Sequence, residues 1–159
     1  MGSRVLCRVA FVLLGIGAFA LGWSFVKGWT APGSDGRTEI RLAPAERDQI
    51  LAEMRDLLKA VHGVVDGLSQ PDEAAGRKQA EQAARSVGLA TAADVNPALM
   101  AKLPLAFKQM GMSVHQDFDG IGEALAQGEA PVQVLTRLSS ISSRCTTCHE
   151  MYRLSGGNR

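Results

Sequence analysis

The chain has 159 residues, with 17 Lys and Arg against 16 Asp and Glu and a formal charge of +1 at pH 7. That length holds one modest domain plus short extras, and so balanced a charge offers no basic surface for nucleic acid and no strong pull on an acidic substrate. Five of the eight aromatic residues lie in the first 29 positions, which leaves Phe107, Phe118 and Tyr152 for everything else. A core beyond residue 29 is therefore built from Leu, Val, Ala and Met, and a large apolar cofactor would supply the missing bulk.

Residues 9–26 are apolar or small apart from Ser24, with Arg4 and Arg8 before them and Lys27 after. A secretory signal has the same basic start, and Ala18-Phe19-Ala20 is an acceptable cleavage site. The apolar run continues past that site to a length that spans a bilayer, and Trp23 and Trp29 stand where interfacial aromatics anchor its outer end. Residues 1–29 are accordingly read as a membrane anchor or signal segment, with the anchor favoured. Arg4 and Arg8 keep the N-terminus inside, so the rest of the chain is exported. Residues 30–43, which include Pro32-Gly33-Ser34-Asp35-Gly36, read as a flexible linker.

Residues 44–159 carry four helical segments. Pro44 opens the first, where Ile50, Leu51, Met54, Leu57, Leu58, Val61, Val64, Val65 and Leu68 recur at helical spacing. The second, about 71–87, is rich in Ala and charge, has a small apolar face and is expected to be the most weakly held. A less regular stretch from Thr91 to Leu103 follows, with Asn96-Pro97 placed to cap one short turn. The third runs from about Pro104 to Gln127, with Leu105, Phe107, Met110, Val114, Phe118, Ile121 and Leu125 inward, and Gly128 ends it. The fourth starts at Pro131 and puts Val134, Leu135, Leu138, Ile141, Cys145, Cys148 and Tyr152 on one stripe. Four amphipathic helices with mostly short connections predict an all-α antiparallel four-helix bundle. The tail from Ser155 to Arg159 is expected to fray.

Near the end of the fourth helix stands Cys145-Thr146-Thr147-Cys148-His149. C-x-x-C-H is the attachment sequence of a c-type haem. Residues three and four apart share a helix face, so both thiols and the imidazole lie on one stripe, the thiols for thioethers to the porphyrin and His149 for the iron. A structural zinc site needs four ligands and there is no second cysteine pair. A redox dithiol belongs beside a βαβ pattern, and nothing upstream reads as strands. Cys7 is odd and lies in the apolar leader.

Four helices with this motif on the last one resemble the cytochrome c′ family and its low-spin cytochrome c-556 branch. The likeness sharpens over Cys145 to Arg153, which fits the family ending C-x-x-C-H-x-x-Y-[RK]. It implies the bundle fold, a bacterial periplasmic setting, one covalently attached haem c with its iron, and Arg153 beside the His149 ring. Homodimers through the first two helices are common in the family. It also implies that the 44–68 helix supplies the group on the far side of the iron. A methionine there closes the sixth site for electron transfer, whereas a bulky apolar residue leaves the iron open to small gases.

Met54 and Leu58 are both candidates, and Met54 carries the only thioether on that helix. His115 is a third, although a lone histidine more often makes a local hydrogen bond, and His62 reads as a surface residue. Met110 reads as core and Met112 as partly exposed. Arg55, next to Met54, is the first-helix candidate for a haem propionate. Arg137, Arg144, Arg153 and Arg159 outnumber Glu150 on the last helix and its tail, where they suit a helix C-terminus, propionates or an acidic partner.

The leading expectation is an electron carrier, not an enzyme. It has His149 and Met54 as axial ligands, faces the periplasm from the inner membrane, and serves redox partner proteins near that membrane. Cleavage near residue 20 would make it soluble. The alternative is a five-coordinate haem protein that binds nitric oxide or carbon monoxide. A peroxidase-like enzyme is disfavoured because no distal base and polar partner can be picked out.

Overall fold

The computed structural model describes residues 2–92 and 96–156, with side chains from residue 6 onward. The side chain of Arg4, positions 93–95 of the irregular stretch and the tail residues Gly157, Asn158 and Arg159 lie outside the described residues. The chain is mostly helical. In order it forms α1 Gly2–Lys27, β1 Thr30–Pro32, β2 Thr38–Ile40, α2 Pro44–Leu68, α3 Glu73–Arg85, α4 Leu89–Ala92, α5 Pro97–Lys102, α6 Leu105–Ala126, α7 Pro131–Met151 and β3 Tyr152–Leu154.

Local chemistry explains these boundaries. Pro44 and Pro131 occupy first-turn positions, where a missing N–H costs nothing. The Glu46 carboxylate accepts from the Ala43 N–H at 2.9 Å. Asp72 caps α3 by accepting from the N–H groups of Ala74 and Ala75, and Asn96 caps α5 through the Ala98 N–H. At the end of α6, Gly128 takes φ +79°. Its N–H donates to the Leu125 carbonyl and the Glu129 N–H to the Ala124 carbonyl, the paired bonds of a Schellman stop.

The four long helices of the domain pack in succession, α2 on α3, α3 on α6 and α6 on α7. Along α2 the buried or half-buried stripe is Ile50, Met54, Leu57, Val61, Val64 and Leu68. Leu58 and Val65 fall off it, at 67% and 43% exposure. Leu135 of α7, expected inward, is also exposed.

α3 departs from the expectation of a weakly held helix. Gly76, Ala80 and Ala84 are buried, and α2 with α3 makes the most extensive helix contact in the domain. Small residues are the reason: a Cβ on Gly67 would lie 2.6 Å from the Gly76 carbonyl oxygen, and one on Gly63 would lie 2.7 Å from the Ala83 Cβ. The two backbones approach because neither carries bulk at the crossing.

The 30–43 segment corrects the reading of a flexible linker. β1 and β2 form an antiparallel hairpin, Thr30 opposite Ile40 and Pro32 opposite Thr38, turned by Gly36 at φ +84°. β2 then pairs in parallel with β3, Thr38 opposite Tyr152 and Ile40 opposite Leu154. Tyr152 therefore leaves the helical stripe assigned to it and opens a strand. Ile40 is fully buried against Leu99, Leu103 and Phe107, which rewards ordering the hairpin.

Gly76→Ala is expected to destabilise the domain by roughly 1–3 kcal/mol, because its Cβ would run into the Gly67 carbonyl. Gly120→Ala, with nothing near its Cβ, is expected to stabilise by about 0.5–1 kcal/mol. Urea unfolding followed by helical circular dichroism compares the two.

Candidate functional site: a cleft that divides the core

The buried side chains form two clusters. The larger, centred on Val64, Phe118, Ile121, Val134 and Ile141, joins α2, α3, α6 and α7, and Cys145 packs against its edge. The smaller joins Ile40, Leu99, Leu103 and Phe107, and Met54, Cys148 and Tyr152 pack against it. Cys145 and Cys148, one turn apart on α7, thus touch different halves of the core.

Between the halves lies a cleft with an empty volume of about 890 Å³, counting space open to solvent. α2 contributes Ile50, Met54 and Leu57 to its walls, α5 Met100, α6 Phe107, Met110, Met112 and His115, and α7 Cys145, Cys148 and His149. The lining is apolar and rich in sulfur, with six thiol or thioether groups from Met54, Met100, Met110, Met112, Cys145 and Cys148. A second cavity shares Met54, Phe107, Cys148 and His149 with the first and adds Arg37, Arg47 and Arg153. His149 is exposed and lines both.

Both motif thiols are free and half-buried. Burial pushes each pKa up, and for Cys148 the neighbouring Cys145 adds to the rise. A catalytic or redox dithiol needs the opposite shift, since the thiolate is the reactive species. Phe107 stands edge-on to Tyr152 at 5.5 Å between ring centroids and closes the wall behind Cys148. Burial also raises the Tyr152 phenol pKa.

The predicted residues separate on this map. Met54 reaches both cavities, whereas Leu58 lines neither and points outward. Arg55 is exposed and lines neither, because the residue after an inward-facing Met54 is rotated about 100° around the helix. Arg153 shares the second cavity with His149, but its guanidinium is held by Glu39 at 2.5 Å and lies 3.5 Å from Asp35. Arg37 donates to the His149 carbonyl oxygen at 3.1 Å and pairs with Asp35. The hydrogen bonds from Arg37 hold the Asp35 carboxyl down at about 2.

His115 is buried and makes the expected local bond, Nδ1 to the Val87 carbonyl at 2.8 Å, while its Nε2 lies 3.5 Å from Glu53 Oε1. His62 is exposed. Arg144 lines the cleft and is paired with Asp117; Arg137 is paired with Glu129 outside it.

Met100 and Lys108 are among the cleft residues not singled out from the sequence. Met100 sits on the short α5, where no long periodic run draws notice. Lys108 is 8% exposed, and burial lowers its pKa. The spacing of Lys108, Gly111 and His115 along α6 was the available signal.

No protein-family model matches the chain, and neither a curated protein nor a solved structure does.

In the reduced chain, Cys145 and Cys148 are expected to react with iodoacetamide at pH 7 more slowly than a free cysteine peptide, since a raised pKa lowers the thiolate fraction. The rate should climb with pH and inflect above 9.0, the ordinary thiol value. Mass spectrometry of quenched samples reads it.

Proposed function

We propose that the chain is a membrane-anchored electron carrier of the cytochrome c′ and c-556 kind, a four-helix bundle of α2, α3, α6 and α7 with one covalently held haem c. The observation that carries the proposal is the divided core. Two apolar clusters face each other across a gap, and C-x-x-C-H lies along one wall with one cysteine on each cluster.

The residues present fit the group. The cleft lining is mostly carbon and sulfur, as a porphyrin face requires, with Glu53, Lys108, His115 and Arg144 among its polar members, and thiols kept protonated by burial are preserved for thioether formation. When bound, the haem supplies an iron that gains and loses one electron. Cys145 and Cys148 hold it covalently and His149 ligates from α7. Met54 is the thioether on α2 that would serve as a second ligand to the iron and so favour its reduced state. Arg37 and Arg47, on the second cavity with His149, replace Arg55 as the cations for the propionates. Arg153 acts through the sheet: its ion pairs with Glu39 and Asp35 hold β3, and with it the end of α7, in place. Electron carriage is preferred over gas binding because Leu58, the side chain that would have kept the sixth position open, turns away from the cleft.

α1 supplies the anchor. Leu6–Lys27 is long and apolar enough to cross a membrane and is exposed throughout. At about 1.5 Å per residue its 22 residues reach about 33 Å, against about 30 Å of bilayer hydrocarbon. The domain then faces the periplasm and meets redox proteins there.

The test is to express the full chain in bacteria equipped for cytochrome c maturation. Pigment should stay on the polypeptide through a denaturing gel, Cys148→Ala should leave at most a single-thioether product, and Cys145→Ala with Cys148→Ala should leave no covalent pigment. An unpigmented band would end the proposal. Reduced protein should show a six-coordinate low-spin spectrum indifferent to carbon monoxide, and Met54→Leu should make it high-spin and gas-binding. An unchanged low-spin spectrum in that variant would remove Met54 as the ligand.

A further inference from the structure

We infer that the corner of the domain next to the anchor, formed by the end of α1, the β1–β2 hairpin and the first turns of α6, seats on the phospholipid headgroup layer and holds the domain in one orientation on the membrane. The inference rests on the anchor reading above and adds a second membrane contact to it.

The end of α1 is fastened to the domain. Gly28 takes φ +63°, and a Cβ there would lie 2.5 Å from the Lys102 carbonyl oxygen, so only glycine fits without strain. The Trp29 N–H donates to that same carbonyl at 2.8 Å, and the Arg41 N–H donates to the Trp29 carbonyl at 2.8 Å. Two cations complete the clamp. Lys102 Nζ lies 4.8 Å from the Trp29 ring centroid while paired with Glu46 at 2.5 Å. Lys108 Nζ lies 3.7 Å from the Phe25 ring centroid and donates to the Phe25 carbonyl at 3.5 Å.

The length of the span then dictates what surrounds this corner. If Leu6–Lys27 fills the hydrocarbon, Lys27 lies at the outer interface, flanked by Trp23 and Trp29. A crevice beside Lys27, lined by Thr30, Thr38, Leu105, Ala106 and Gln109, falls in the headgroup layer. Its amine, hydroxyls and amide offer donors to phosphate oxygens, while Leu105 and Val26 face the acyl boundary. α6 carries no carboxylate from Leu105 to Gln116, and the hairpin's two carboxylates, Asp35 and Glu39, are paired with Arg37 and Arg153. Lys108 touches the anchor with its amine and also lines the cysteine cleft, which places that cleft at the membrane end of the domain.

The experiment puts a photoreactive benzophenone side chain at Gln109, or at Gln127 at the opposite end of α6, in the full chain within vesicles of phosphatidylcholine and phosphatidylglycerol. The two sites are about 27 Å apart along the helix at about 1.5 Å per residue. Irradiation should give at least roughly fivefold more phospholipid adduct at Gln109 than at Gln127, read by mass spectrometry, for a headgroup contact against a solvated site. Gly28→Ala should reduce the Gln109 adduct towards the Gln127 level, and Trp29→Ala, which leaves the backbone alone, should do so in part. Equal adducts at the two sites in chain that floats with the vesicles overturn this inference and leave the anchor standing. Chain that does not float overturns both.

Discussion

Apolar surface that faces a gap is the constraint on which the rest of this structure depends. Leu103 and Phe107 on one side and Leu57 and Val114 on the other line the cleft, with Leu99 in the first cluster and Phe118 and Ile141 in the second set back from it, yet the two groups do not merge. A chain this poor in rings has little with which to bridge them, because eight aromatic residues serve the whole sequence and five are spent in the leader. Interiors normally close to crystal-like density, so the apolar cleft left between two packed clusters is where the proposed porphyrin would act as a filler. The motif cysteines straddle the divide and would fasten such a filler to both halves through one turn of helix.

Most helix limits were legible because each is set by chemistry within four or five residues. Pro44, Asn96-Pro97, Gly128 and Pro131 act through missing or captured backbone groups and need no distant partner. The hairpin was not legible, for the converse reason. Its strands are three residues long, contain Pro32 and Glu39, and show no alternation to read. Their stability comes from Tyr152–Leu154, more than a hundred residues away, and from Ile40 entering a pocket made by α5 and α6. Local sequence holds no trace of either. α3 was misjudged for a related reason: counting apolar side chains undervalues a crossing in which glycine and alanine permit backbone contact.

The site divides along the same line. Cys145, Cys148 and His149 were legible because their spacing is itself the chemistry. Met54 and Leu58 were inseparable on periodicity, being one turn apart, and only the position of α6 and α7 decides which of them looks into the cleft. Arg55 was judged by its place next to Met54 and Arg153 by the family resemblance, whereas their partners depend on side-chain direction and on a sheet that could not be foreseen.

That sheet also changes what the anchor can do. β1 begins at Thr30, directly beyond the clamped end of α1, and β3 begins at Tyr152, directly after α7. β2 lies between them and is hydrogen-bonded to both, so the exits of α1 and of the cysteine-bearing helix lie two strand spacings apart at opposite ends of the short sheet, roughly 12 Å. The anchor cannot swing about Lys27 without breaking strand pairs, the Gly28 contact and the Lys102 and Lys108 clamps together. A free tether would let the domain search a volume and raise the local concentration of many partners. In the proposed arrangement a fixed mount would give up that reach and hold one face of the cleft beside the bilayer, a geometry that would suit a partner confined to the membrane surface.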